Sequence, residues 1–200
     1  MIILGLNTAT NISQIALVKD NEILAEDSWK SEQNEAETLL PNIKKMFNSV
    51  DLDWKDIDKI AVIKGPGPFT ALRVSIAVAN GIAYALGIPV WGIPVQDYWK
   101  LAFNGDFVLQ AGLNRVFYKD KLVDFDDFLD QAKGKVTGHL KESQIAQLKA
   151  KGVEFLDESV LGTPGVLGNL LKTATYNDEK MVQPEYFAPP TITKSNKSYK

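Results

Sequence analysis

Gly65-Pro66-Gly67-Pro68-Phe69-Thr70-Ala71-Leu72-Arg73 is the stretch that decides the fold, and no charged residue follows it from Val74 to Gln96. Before it, Lys59 to Lys64 is an apolar run between two lysines and reads as a buried strand. A glycine-proline elbow thus joins a strand to a helix of small and apolar residues running to about Leu86. Ala71, Ser75, Ala79 and Ala83 recur every four residues, as do Ala77, Gly81 and Ala85. Val74, Val78, Ile82 and Leu86 form an apolar row between them, and Arg73, Asn80 and Tyr84 are the candidates for a wetted edge. Such a helix is covered on more than one side. Two covers fit the pattern equally: the chain's own sheet and second lobe, or a partner subunit. The run is long enough for a bilayer, but Asn80, Gly81, Gly87, Pro89, Gly92 and Pro94 interrupt it, which argues against a membrane span.

Upstream, residues 2–7, 13–19 and 23–29 read as three strands joined by short hairpins. Asn34 and Glu37 have capping-box spacing, and Leu39, Leu40, Ile43, Met46, Phe47 and Val50 follow helical spacing. Pro41 should kink that helix or mark its start. Downstream, Val90 to Ile93 is a short strand. The order β-β-β-α-β-α-β is an antiparallel start feeding parallel crossovers. A second unit begins near Asp106, with strands expected at 107–111, 115–119, 135–139 and 153–156 and helices at 125–132, 142–151 and 164–175. The expected division is a first lobe over 1–103, a smaller second lobe over 104–190, and a loose basic tail over 191–200 carrying Lys194, Lys197 and Lys200.

Composition narrows the chemistry. The chain has 200 residues, 45% hydrophobic and 24% charged, with a formal net charge of −3. The first hundred residues hold 9 basic and 12 acidic groups and the second hundred 13 of each, so neither half is a bulk nucleic-acid patch. No cysteine is present, which fits a reducing cytosol and a cytoplasmic protein, and His139 is the single histidine, which rules out a multi-histidine metal cage. The N-terminus lacks a basic flank and turns polar by residue 7, as a strand does and a signal peptide does not.

Three places are candidate sites. The elbow could cradle an anion at the helix N-terminus, but Pro66 and Pro68 have no N–H and no Walker lysine follows, so a rigid elbow is the favoured reading. The loop holding Asn7, Thr8 and Thr10 stands where ATP-handling folds place a metal-binding acid, and it has none. The second loop, Ala111-Gly112-Leu113-Asn114, also lacks an acid. The acids at 26, 27, 32, 35 and 37 suit a strand end and a helix start better than a metal, and His139 is expected to be structural. No catalytic residue, metal or cofactor is expected.

The segments Ile3 to Thr10, Leu39-Leu40-Pro41, Gly65 to Arg73, Ala83 to Ile93 and Gln183-Pro184-Glu185-Tyr186 together resemble the bacterial TsaB (YeaZ) family, strongly over 1–100 and weakly over 105–180. The resemblance implies an α/β, actin-like ASKHA (ribonuclease H-like) fold of two related lobes with mixed sheets. It implies a non-catalytic subunit that binds TsaD, with TsaE as a further ATPase, in threonylcarbamoylation of tRNA. Contact with tRNA would come only through the complex, and the free protein could homodimerise. The helices at 34–49 and 69–86 would meet the corresponding pair of TsaD, which makes Leu40, Ile43, Phe47, Ala71, Val74, Ser75, Val78, Ala79 and Ile82 the expected partner-binding residues. The sequence departs from the family pattern at Asn7, Pro68, Ala71 and Asn34-Glu35, and Ala111-Gly112-Leu113 matches its second-lobe Asp-Ala-Arg; these changes further weaken a nucleotide site. The alternatives are an ASKHA-type phosphotransferase or ATPase with a degenerate site, disfavoured by the missing acids, and a metallopeptidase, disfavoured by one histidine and no cysteine.

Overall fold

The computed structural model describes residues 1–173 and 175–186. The chain opens on β1 (Ile2–Asn7), β2 (Ile12–Lys19) and β3 (Glu22–Lys30), followed by α1 (Glu35–Ser49), β4 (Lys59–Gly65), α2 (Phe69–Leu86) and β5 (Val90–Pro94). These strands form one mixed sheet in the order β3-β2-β1-β4-β5. The meander pairs antiparallel, whereas β4 and β5 add parallel to it because a helix carries the chain back each time. Strands β1 and β4 are buried along almost their whole length, as a sheet covered on both faces requires.

A second mixed sheet follows. After α3 (Val95–Ala102) come β6 (Asp106–Gln110), β7 (Arg115–Tyr118), β8 (Lys121–Asp124), α4 (Phe125–Gln131), β9 (Lys135–His139), α5 (Glu142–Ala150) and β10 (Glu154–Leu156), in the order β10-β9-β6-β7-β8. The two sheets share a plan: an antiparallel meander extended by parallel strands. The fold is actin-like, with two related lobes.

Several expectations are corrected. Helix α3 and strand β8 were not expected from the sequence. Pro41 lies inside α1 and neither starts nor ends it. Both Pro41 and Glu37, whose carbonyl loses its helical partner, are exposed, so that carbonyl is open to solvent. The Asn34 side chain makes no cap hydrogen bond; Ser31 donates to the Glu35 carboxylate and Thr38 Oγ1 donates to the Asn34 carbonyl at 3.0 Å.

The lobe boundary also moves. The expected helix over 164–175 is α6 (Val166–Thr173), and it packs on β1, β2 and β3 of the first sheet. A Cβ on Gly5 would fall 2.5 Å from Leu171 Cδ1, so any larger residue at this sheet position would push the Leu171 side chain aside. Residues 178–186 then run back over the first lobe. Glu179 bridges Val90, the Asn80 amide holds Val182 N and O at 2.9 and 3.0 Å, and Glu185 N donates to the Lys64 carbonyl at 2.7 Å. The second lobe therefore ends near 157, and the remainder returns to the first. The expected tail over 191–200 lies outside the described residues.

Candidate functional site

Three strand-end loops converge at one end of the molecule. The first, after β1, has closed in on itself. Asn7, Thr8 and Thr10 are all buried, the first two completely. Asn7 Oδ1 accepts Ala9 N–H at 3.0 Å and Asn7 Nδ2 donates to Gln14 Oε1 at 3.2 Å. The Tyr98 hydroxyl sits between Gln14 Oε1 and the Leu161 carbonyl. Burial pushes the Tyr98 phenol well above its usual value, so it stays protonated and donates. Thr8 Oγ1 lies 2.9 Å from the Ala71 carbonyl and 2.7 Å from Ser75 Oγ. The expected phosphate-loop side chains are thus bonded within the chain's own core.

Between the lobes lies a cleft of about 1110 Å³. The elbow supplies Gly67, Pro68, Phe69 and Thr70, the second loop Ala111 and Gly112, and β9 its end residue His139. Lys30, Glu32, Glu35 and Glu158 bring charge. Glu158 is 7% exposed; its Oε1 stands 4.0 Å from His139 Nδ1, and its Oε2 has no hydrogen-bond partner. Burial pushes its carboxyl above the usual value, against the pull of His139 and of the Asn11 backbone N–H. His139, expected to be structural, thus lines the cleft. Among the described residues no three His, Asp or Glu side chains group in a way that could hold a metal. Glu158 carried no signal in the sequence, because only the fold brings it to the loop at residue 11.

The elbow is held mechanically. Gly65 adopts φ +114°, and a Cβ there would meet the Glu185 carbonyl oxygen at 2.4 Å. The Phe69 and Tyr186 rings stack at 4.7 Å, and the Arg73 guanidinium lies 3.8 Å over Phe69 while its Nε donates to the Tyr186 hydroxyl at 3.0 Å. Lys64 pairs with Glu185 at 2.7 Å. At the far end of this strap, Asp178 takes hydrogen bonds from Lys59 and Trp91, which hold its carboxyl below the usual range.

The α1–α2 face divides the expected partner-binding residues in two. Ile43, Phe47, Ala71, Ser75 and Ala79 are buried within this chain, packed against its own sheet and loop, and that expectation is corrected for them. Leu40 is exposed, and Val74, Val78 and Ile82 are half-buried. Ala77, Gly81 and Ala85 are exposed, and Tyr84 is 91% exposed. Leu40, Trp54, Gly81, Ile82, Ala85 and Leu86 enclose an apolar groove of about 280 Å³. Helix α2 has a mean hydropathy of 1.4, yet only 33% of it is buried. By length and composition alone it could cross a membrane; its buried row and its packing on β4 are those of a helix on a sheet.

Sequence comparisons bear on the same region. A family model described as TsaD, tRNA N6-adenosine threonylcarbamoyltransferase, matches residues 23–106, which contain α1, the elbow and α2. The tRNA threonylcarbamoyladenosine biosynthesis protein TsaB of Bacillus subtilis (strain 168) is 26% identical over 187 residues, covering 84% of this chain and 80% of its own. The protein of the same name from Buchnera aphidicola subsp. Schizaphis graminum is 33% identical over 104 residues, about half of each chain (50% and 49%). The chain is thus similar to TsaB proteins over most of its length. Solved structures share the fold. An uncharacterized protein described as similar to peptidase YEAZ from Pseudomonas aeruginosa superimposes with a TM-score of 0.69 at 17% identity, over 94% of this chain and 99% of that one. YeaZ from Pseudomonas aeruginosa gives 0.52 at 24% identity, over 58% of each.

Proposed function

We propose that this chain is a non-catalytic subunit in the biosynthesis of tRNA threonylcarbamoyladenosine, binding and supporting a TsaD-type transferase through α1 and α2, with a TsaE-type ATPase as a further member. The carrying observation is the uncovered apolar surface around Leu40, Gly81, Ile82, Ala85 and Leu86 on a helix two-thirds of which is not buried by its own chain. Uncharged helix surface with a single aromatic standing out of it, Tyr84, is the composition of a buried interface core. The buried state of Asn7, Thr8 and Thr10 supports the non-catalytic part of the reading, because these side chains are already bonded within the chain's own core. The transferase would carry the chemistry and the tRNA contact, and without it two copies of this chain would pair through the same face.

Co-expression with the TsaD-type protein of the same genome tests this. A one-to-one complex is expected at micromolar concentration, as standard-size interfaces give. Leu40→Glu and Ala85→Glu, both at exposed positions, should each weaken it by more than tenfold and leave the melting temperature of the free chain within about 2 °C, since surface changes cost under ~0.5 kcal/mol. No complex, or one indifferent to both variants, would overturn the proposal.

A further inference from the structure

The strap of residues 178–186 lies along two surfaces at once, the edge of β5 and the flank of α2. Glu179 and Val90 exchange both backbone hydrogen bonds, at 2.9 and 3.1 Å. Further on, the Asn80 side-chain amide pairs with both backbone groups of Val182. Nearest the elbow, Tyr186 stacks on Phe69 and accepts a hydrogen bond from Arg73. Asn80 stands seven residues after Arg73 on α2, two turns along the same side, so the strap runs antiparallel to the helix. Ala77 lies between the two, four after Arg73 and three before Asn80, and begins the exposed row Ala77–Gly81–Ala85. The strap thus flanks that row on one side, as Leu40 of α1 does on the other. Its hold is shallow. Val182, 1% exposed, is its single buried residue, and Asp178, Lys180, Met181, Gln183 and Glu185 are exposed. A segment held by one buried side chain and by bonds at the surface opens far more readily than the sheet beneath it.

We propose that the strap is a latch: it opens as one unit while both lobes stay folded, and its closed state holds the elbow and α2 in the position that a partner binds. The second half rests on α1 and α2 being the docking face. Two contacts make the link. Gly65, the turn from which α2 is launched, packs against the strap so closely that a Cβ there would fall 2.4 Å from the Glu185 carbonyl oxygen. Asn80 ties the middle of α2 to Val182. With the strap released, the elbow loses its outer wall, and Arg73 and Asn80 lose their partners. Val182 is the pin. Its side chain sits beside Gly92, where an added Cβ would lie 3.1 Å from Val182 Cγ1, and it joins the core under α1 and α2. Linkage makes the effect reciprocal: a partner that binds the closed form slows opening by the factor that opening weakens binding.

Hydrogen exchange of the full chain in low, rising urea measures the latch. The amides of Glu179 and Glu185, which donate to the Val90 and Lys64 carbonyls, are expected to share one opening equilibrium. That opening should be at least about tenfold more populated than the one that exposes the amides of β1 and β4, with a shallower urea dependence. Val182→Asp should hold the latch open, because the new charge reaches water only by opening. This variant is expected to melt cooperatively, to lose protection at Glu179 and Glu185, and to bind the TsaD-type protein at least about fivefold more weakly. Val182 is buried, so removing its side chain takes no contact from the partner. Strap amides that exchange only with global unfolding, or a Val182→Asp chain that does not fold, would overturn the latch, since either makes the strap part of one cooperative unit. An open strap with unchanged affinity would overturn its link to docking. A parent chain that forms no complex would instead sink the docking reading, and the link with it.

Discussion

A glutamate at position 75 would have to enter the core. Ser75 is fully buried, its hydroxyl packed 2.7 Å from Thr8 Oγ1 and 3.2 Å from the Leu72 carbonyl. Ser75→Glu is therefore expected to prevent a folded monomer, since an uncompensated buried charge costs ~3–5 kcal/mol or more; circular dichroism of the purified variant checks this. A folded variant that merely fails to pair would place Ser75 on the surface instead. Glu158 gives the opposite sign. Its native pKa is raised above the ordinary 4.5, so the folded state holds the proton more tightly than the unfolded one. Its stabilising contribution is whole below about pH 4.5 and is lost as pH rises through the native value. Glu158→Gln should accordingly raise the melting temperature at pH 7, by about 2–4 °C for each kcal/mol recovered, and should flatten the decline expected in the parent as pH rises above 4.5. A variant less stable than the parent at pH 7 would mean the carboxylate is paired.

At the scale of elements, α2 shows what a sequence pattern can and cannot resolve. The helix, its elbow and its small-residue rows are legible because apolar spacing, proline and glycine act locally. Which row faces inward is a matter of the helix's rotation on the sheet: the Ala71–Ser75–Ala79–Ala83 row went to the core and the Ala77–Gly81–Ala85 row to the surface. Strand β8 is silent in the sequence for a different reason. Lys119 and Asp120 take φ of 47° and 62° at the turn before it, a left-handed pair normally signalled by Asn-Gly, and neither residue announces it. Helix α3 begins directly after Pro94 at the end of β5, with no loop between them to mark a boundary. Gly81 is the residue in α2 that the isolated chain does not explain. A Cβ there would meet nothing within 4 Å, yet glycine inside a helix costs ~0.5–1 kcal/mol relative to alanine. Gly81→Ala should stabilise the free chain by about that amount in urea denaturation. If a partner backbone approaches this row closely, the same methyl should weaken the complex several-fold. Unchanged affinity would leave Gly81 outside the contact.

For the whole molecule, the consequential feature is that residues 158–173 and 178–186 return to the first lobe. The first sheet needs both faces covered. Helices α1 and α2 cover one, while α3 with α6 covers the other, where Leu167, Leu170 and Leu171 join Ile3, Ala16, Val18 and Trp91 in a single core. No local signal in the sequence could assign α6 to a sheet over a hundred residues away, because any amphipathic helix fits any apolar sheet face. The small residues Gly5 and Gly168, which let α6 approach β1 and β3, acquire that meaning only once the two are paired. A chain cut at 103 would leave the α6 face of the sheet bare and also lose the strap that holds Gly65 and Lys64. It is expected to be molten or insoluble, with no cooperative thermal transition. Joining 103 by a short flexible linker to 158–186 should restore a cooperative transition, because Tyr98 on α3 already touches Leu161 and closing so short a loop costs little entropy. If residues 1–103 alone melt cooperatively, the second layer is dispensable and the first lobe is independent. If the linked chain stays molten, the packing of Trp99 on Phe107, 3.5 Å between ring centroids, makes the second lobe part of the same cooperative unit.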